Sequence, residues 1–135
     1  MSRTLLVIDD NQSVRESLRF LLLRRGYHVL AAADGPEALD LAAQHTVDGA
    51  MVDVNMPGMS GIEVCRILHE RAAADGRRIA VWMMTGARSP EVLRQAREAG
   101  ALELLGKPFD IPSLYRRIEC QFAPAIDARA TCAAS

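Results

Sequence analysis

Residues 49–61 read Gly-Ala-Met-Val-Asp-Val-Asn-Met-Pro-Gly-Met-Ser-Gly, and the fold turns on how this stretch is read. A short apolar run bounded by turn residues is the pattern of a buried strand, here Gly49–Val54. The run carries Asp53 near its end and gives way to Asn55–Gly61, a loop rich in chain breakers. A helix is expected from about Gly61 to Ala73. Outward from this unit the same punctuation recurs. Leu5-Leu6-Val7-Ile8 ends on Asp9-Asp10, Ile79–Met84 ends on Thr85, and the run from Leu102 to Gly106 ends on Lys107.

The rest of the chain alternates in step. Thr4–Ile8 reads as the first strand. Asn11 or Asp10 can cap a helix in which Val14, Leu18, Leu21 and Leu22 share one face, and Gly26 stops it. His28–Ala33 is a weakly apolar second strand suited to a sheet edge. Asp34-Gly35-Pro36 opens a second helix with proline in its first turn, running to about Gln44. After the fourth strand, Ile79–Met84, Ser89-Pro90-Glu91 starts a helix that ends at Gly100. Ala101–Leu105 is the fifth strand, and Asp110 caps a last helix to about Phe122. Strands joined by helical crossovers are parallel, with right-handed connections. The fold class is therefore α/β, a doubly wound sheet of five parallel strands. Residues 1–122 form one domain, and Ala123–Ser135, short of large apolar residues, is expected to be a disordered tail.

The totals fit this reading. The chain has 135 residues, half of them hydrophobic, with a formal charge of −1. That is one domain with a real core, and the charge gives no basis for direct nucleic-acid binding. The pairs Arg24-Arg25, Arg77-Arg78 and Arg116-Arg117 are separated by acidic stretches and read as solvated helix faces rather than a basic patch. A strand begins within three residues of the N-terminus, which leaves no room for a signal peptide. No apolar run reaches the roughly 18 residues of a membrane span. Cys65, Cys120 and Cys132 lack C-x-x-C or zinc spacing, which points to a reducing, cytoplasmic setting. Cys65 reads as a small core residue and Cys132 as a reactive thiol in the tail.

In an open parallel sheet, ligands bind beyond the carboxyl ends of the strands. Asp9, Asp10, Asp53, Thr85 and Lys107 all fall there, on four different strands. Each has a plain structural alternative, as a helix cap or a turn residue. Together they are a kit for a divalent cation and a phosphoryl group. Mg²⁺ takes hard oxygen ligands, usually one or two carboxylates with waters and phosphate oxygens. A strand-end carboxylate can act as a covalent nucleophile. Phosphoryl transfer relies on positioning and charge stabilisation, which a lysine and a hydroxyl supply.

These residues carry a resemblance. Val7-Ile8-Asp9-Asp10, Val52-Asp53 through Gly61, Met84-Thr85-Gly86-Ala87, Ala99-Gly100-Ala101 and Lys107-Pro108-Phe109-Asp110 resemble the receiver domain of two-component response regulators, over roughly residues 3–122. The resemblance implies a flavodoxin-like (βα)5 sandwich with strand order 2-1-3-4-5. It implies that Asp53 is the phosphoacceptor and that Asp10 is a direct Mg²⁺ ligand, with Asp9 helping to hold the ion and Asn55 donating its backbone carbonyl. Thr85 would bind a phosphoryl oxygen, Lys107 would bridge Asp53 and the phosphoryl group, and the Lys107-Pro108 bond would be cis. The donor would be a phosphohistidine on a sensor histidine kinase or histidine phosphotransfer protein. The chain would be a switch rather than an enzyme, assisting only its own phosphorylation and dephosphorylation. A stand-alone receiver is expected, with no output module after residue 122 and with output through a downstream protein partner or a phosphorelay.

One position departs from the family pattern. Three residues before the lysine, where the family usually has Tyr or Phe, stands Leu104. Leucine has no ring to turn inward, so this switch position bears on output and leaves the Asp53 chemistry untouched. On helix one, Phe20 and Leu23 project away from the core face at 100° per residue. They are either isolated exposed apolar residues or part of a docking patch, since in similar proteins helix one meets the histidine donor. Three rivals fit less well. A haloacid-dehalogenase-type phosphatase wants a second acid two residues after its nucleophile, where this chain has Asn55. A flavin carrier of flavodoxin type wants a Ser/Thr/Gly-rich loop after strand one, where this chain has Asp9-Asp10-Asn11-Gln12. A receiver-like scaffold that is never phosphorylated would be expected to lack a site residue, and none is missing.

Overall fold

In the computed structural model, residues 3–122 are described. They form β1 (Thr4–Ile8), α1 (Gln12–Arg24), β2 (His28–Ala32), α2 (Gly35–Gln44), β3 (Gly49–Asp53), α3 (Gly61–Ala74), β4 (Ala80–Thr85), α4 (Pro90–Glu98), β5 (Glu103–Gly106) and α5 (Ile111–Phe122). Helix starts leave backbone N–H groups unpaired, and side-chain oxygens satisfy them here. Asn11 accepts from Val14, Asp34 from Glu37, Ser60 from Glu63 and Ser89 from Val92. Asp110 accepts from Ser113 at 3.1 Å. Gly26, with φ of 89°, takes the left-handed turn that ends α1.

The sheet runs β2-β1-β3-β4-β5, and every pairing is parallel. The expected order holds, and β2 lies at an edge. Alternate strand residues feed two cores. Leu6, Ile8, Val52, Val81, Met83 and Leu104 face α2, α3 and α4, which contribute Leu39, Val64, Leu68 and Ala96. Leu5, Val7, Met51, Trp82 and Met84 face α1 and α5, which contribute Leu18, Leu22, Leu114 and Ile118. Sheets covered on both faces read as continuous apolar runs. Cys65 is packed in the first core, where burial pushes its thiol up to about 12. The expectations for Cys132 and the tail concern positions outside the described residues.

Several strand boundaries differ from the sequence reading: β2 ends at Ala32 rather than Ala33, β3 at Asp53 rather than Val54, and β4 and β5 are displaced toward the C-terminus. β4 includes Thr85, because the hydrogen-bond ladder extends to the pair Thr85–Gly106. β5 starts at Glu103 rather than Ala101. Gly100 turns with φ of 101°, and the Ala101 N–H then closes the end of α4 on the Ala96 carbonyl. Only at Leu102 does the chain bond across to Val81. Arg24-Arg25 closes α1 and Arg116-Arg117 lies on α5, whereas Arg77-Arg78 lies in the loop after α3 rather than on a helix face. Arg25 pairs with Glu119, Arg77 with Asp75 and Arg117 with Glu103. Among the described residues, no helix is long and apolar enough to cross a membrane.

The α1 periodicity is resolved as expected, with Leu22 fully buried and Phe20 and Leu23 exposed at 58% and 43%. Leu22→Ala should therefore cost about 2–5 kcal/mol in chemical denaturation, whereas Phe20→Ala should stay within about 0.5 kcal/mol of wild type. Equal losses would mean that α1 is rotated from this placement.

Candidate functional site

The parallel register sets Ile8 beside Val52, Asp53 beside Met84 and Thr85 beside Gly106, so the carboxyl ends of four strands open onto one edge. Asp9 leaves β1 there, fully buried, and its groups are held on three sides. One carboxylate oxygen accepts from the Asn11 N–H at 2.9 Å, and the other accepts from Lys107 Nζ at 2.8 Å. Its backbone carbonyl accepts from the Arg15 guanidinium at 2.8 Å. Asp53 closes β3 at 6% exposure, with Lys107 Nζ 3.4 Å from Oδ1. Asp10 is exposed at the rim. One oxygen from each of Asp9, Asp10 and Asp53 lies within 4.8 Å of the others. Lys107 reaches both buried carboxylates from the end of β5. Its own N–H is fixed on the Thr85 carbonyl at 2.8 Å, and the Lys107-Pro108 bond is cis.

The electrostatics follow from this crowding. Burial and the neighbouring Asp9 charge hold the Asp53 carboxyl above the usual carboxylate range, against the opposing pull of Lys107. Burial pulls the Lys107 ammonium down, but its hydrogen bond to Asp9 and the charges of Asp53 and Asp9 outweigh this and hold it above the ordinary lysine value. One ammonium thus serves two carboxylates, with a third close by. Hard oxygen donors clustered in this way fit a small divalent cation. Exposed acid clusters commonly hold none, but two of these three carboxylates are buried, and the fold itself has no use for buried mutual repulsion.

Thr85 is brought to the same edge, but its hydroxyl does not point at Asp53. It donates to the Ala87 carbonyl at 3.1 Å and accepts from the Ala87 N–H at 3.2 Å. Asn55 opens the loop after β3, with its side chain exposed. Leu104 lies behind the site, 6% exposed in the core against α4 and in register with Met83.

Two participants had no role in the sequence reading. Arg15 anchors the end of β1, and a lone arginine one turn into an amphipathic helix carries no signal of that contact. Gly61, read there only as a loop and helix-start residue, allows α3 to begin against β3. A Cβ at this position would lie 1.9 Å from the Asp53 carbonyl oxygen. A glycine where loop meets helix was the available signal, since close backbone approach is one of its uses.

Comparison with known proteins agrees with this geometry. A family model described as the response regulator receiver domain matches residues 5–119. Response regulator MprA of Mycobacterium sp. (strain KMS) is 40% identical over 114 residues, which are 84% of this chain and 48% of that protein. Response regulator MprA of Mycobacterium tuberculosis (strain ATCC 25618 / H37Rv) is 40% identical over 118 residues, which are 87% of this chain and 50% of that protein. The chain therefore spans about half the length of the curated relatives it matches. Among solved structures, the chemotaxis protein CheY4 of Vibrio cholerae superposes with a TM-score of 0.81 at 32% identity, covering 88% of this chain and 98% of that one. A CheY-like receiver domain protein from Methanospirillum hungatei JF-1 gives a TM-score of 0.81 at 26% identity, covering 88% and 92%. With the family model spanning most of its length, the chain belongs to the response regulator receiver domain family.

Proposed function

We propose that this chain is a phosphorylation-dependent signalling switch in which Asp53 accepts a phosphoryl group from a phosphohistidine on a sensor histidine kinase or histidine phosphotransfer protein. The observation that carries the reading is the bridge of Lys107 between two buried carboxylates, 2.8 Å from Asp9 and 3.4 Å from Asp53, beside the exposed Asp10. In this reading an Asp53 oxygen attacks phosphorus, a P–O bond forms, and the P–N bond breaks as the imidazole leaves. Lys107 holds Asp53 against the repulsion of its neighbours and then meets the phosphoryl oxygens as a point charge. The Thr85 hydroxyl leaves its Ala87 ring to bind a phosphoryl oxygen. Asp9, Asp10, Asp53 and the Asn55 carbonyl would hold Mg²⁺, which supplies neutralisation of the clustered negative charge.

An apolar groove of about 450 Å³, lined by Val14, Leu18 and Leu21 of α1 and by Pro108, Phe109 and Ile111, runs up to Lys107. It supports the approach of the histidine partner over α1. Residues 1–122 act as the receiver unit, a switch rather than a turnover enzyme. Output from the receiver unit passes to a downstream protein partner, and the setting is cytoplasmic. Leu104, packed in the core, has no ring with which to fill a pocket that Thr85 vacates. A ligand shifts a two-state equilibrium only by its differential affinity for the two states, and the coupling through β5 is accordingly weak.

Incubation with acetyl phosphate and Mg²⁺ should add one phosphoryl group by intact mass. Asp53→Asn should abolish it with the fold intact, and Lys107→Ala should impair the response. A base-stable adduct of equal yield on Asp53→Asn would place the acceptor elsewhere.

Millimolar Mg²⁺ should raise the thermal midpoint through mass action on the folded state, and Asp10→Asn should remove most of that gain. In chelator, Asp53→Asn should itself raise the midpoint by a few degrees. The sign comes from Asp53 binding its proton more tightly folded than unfolded. Its contribution to stability is full below the ordinary carboxylate value and is lost as pH rises through the raised folded value. The advantage of Asp53→Asn should accordingly open across that window and close in acid. A wild-type midpoint indifferent to Mg²⁺ and Mn²⁺ would defeat the metal assignment.

On adding beryllofluoride with Mg²⁺, amide exchange should change most in residues 56–61 and 85–90. A response of equal size in residues 101–105 and 111–118 would show that Leu104 does not limit the coupling.

A further inference from the structure

Residues 54–61 form the segment that carries the Asn55 carbonyl away from Asp53, and they are held at both ends. At the α3 end, the Gly61 N–H donates to the Val54 carbonyl at 3.1 Å. At its other shoulder, Met59 packs against the start of α2. Gly35 is the first residue of that helix and is buried. A Cβ on Gly35 would lie 2.8 Å from Met59 Sδ and 3.0 Å from both Met59 Cβ and Val64 Cγ2. Gly58 in the same loop and Gly86 beyond β4 have nothing within 4 Å, so the close packing of this loop lies at Gly61 and at this notch.

The notch cannot easily retreat. Asp34 caps α2 by accepting from the Glu37 N–H at 2.9 Å, and Glu37 reaches back to the Ala33 N–H at 2.7 Å. The Ala32 carbonyl, at the end of β2, accepts from the Asp9 N–H at 3.2 Å. The start of α2 is thus tied to β1 at the site edge, yet α2 supplies no side chain to the acid cluster. The sulfur of Met59 is flexible, but its Cβ moves with the loop backbone, and Val64 is stiff at χ1.

We propose that Gly35 is a positioning residue for the Asp53 site: by lacking a Cβ it seats Met59 and so sets the height of the loop that presents Asn55. This rests on the functional reading above. A methyl group at Gly35 lifts Met59, and with it the backbone between Asp53 and Gly61, by a few tenths of an ångström. Binding constellations tolerate about 0.5 Å before they weaken. Alanine is also the better helix former, so any loss at the site does not come from weakening α2.

The test uses the full chain and Mg²⁺ alone as the probe, with calorimetry for affinity and backbone amide resonances in chelator as a metal-free readout. Gly35→Ala should weaken Mg²⁺ binding roughly tenfold, the lower end of what losing an outer support costs a metal site. In chelator it should shift the resonances of residues 54–60 while leaving those of β1 in place. Met59→Ala keeps the glycine, removes the sulfur from the notch and should weaken binding too. It also keeps the Cβ that a methyl at Gly35 would press at 3.0 Å, so the double variant should bind more weakly than Met59→Ala alone. Wild-type affinity and unshifted loop resonances in Gly35→Ala would overturn the positioning role. If Gly35→Ala does not fold, unchanged affinity and unchanged loop resonances in Met59→Ala overturn it instead. Wild-type protein that binds no Mg²⁺ would bring down the functional reading and this inference together, whereas wild-type binding retained in Gly35→Ala removes the inference alone.

Discussion

The contact between Lys107 and Asp9, 2.8 Å long and joining residues 98 apart in sequence, is the interaction on which the working edge of this domain depends. Asp9 has no exposure to water, and a buried carboxylate without a partner is strongly destabilising. Its position is set by the β1 ladder and its charge is answered from the far end of β5. The first and last strands of the site are therefore coupled through one ammonium. The same Nζ also reaches Asp53, so any change in charge at Asp53 is felt by the group that holds Asp9 in place. A phosphoryl group on Asp53 would alter that balance at once.

The edge also shows how a site can be built against the interest of local stability. Asp53 is held above the usual carboxylate range by burial and by Asp9, which marks a charge the folded chain would prefer to be without. Functional sites are where such penalties collect. The surrounding structure resists rearrangement through close packing and a backbone hydrogen bond rather than through further charges. Gly61 lies against the Asp53 carbonyl, Gly35 receives Met59, and Lys107 is fixed by its own N–H on Thr85. Glycine matters at the first two of these for what it leaves out.

Thr85 and Leu104 divide the proposed switch into two parts. The Thr85 hydroxyl is engaged with Ala87 in both directions, a closed local ring that a phosphoryl oxygen would have to open. Leu104 sits in the core behind it, already packed. In the proposed switch, an event at Thr85 moves its loop without a matching rearrangement in β5, and the loops around Asp53 and Thr85 carry the signal.

Much of this was legible in the chain order alone. Apolar runs ending on Asp9-Asp10, Asp53, Thr85 and Lys107, with capped amphipathic helices between them, dictate a parallel sheet, because a helical crossover returns the chain in the same direction. The side chains at the strand ends then have to share one edge. The face of α1 was equally readable, since Leu18 and Leu22 against Phe20 is a matter of period. What sequence could not determine is which way a polar group points once it arrives. The turn of the Thr85 hydroxyl onto Ala87, the reach of Arg15 to the Asp9 carbonyl and the notch at Gly35 are all contacts across elements, and residue type and spacing carry no trace of them. The start of β5 belongs with these, because Gly100 and Ala101 finish α4 only where the Ala96 carbonyl lies within reach. Period and punctuation are local properties of a chain and survive in its order. Distances between elements exist only after the helices have packed against the sheet.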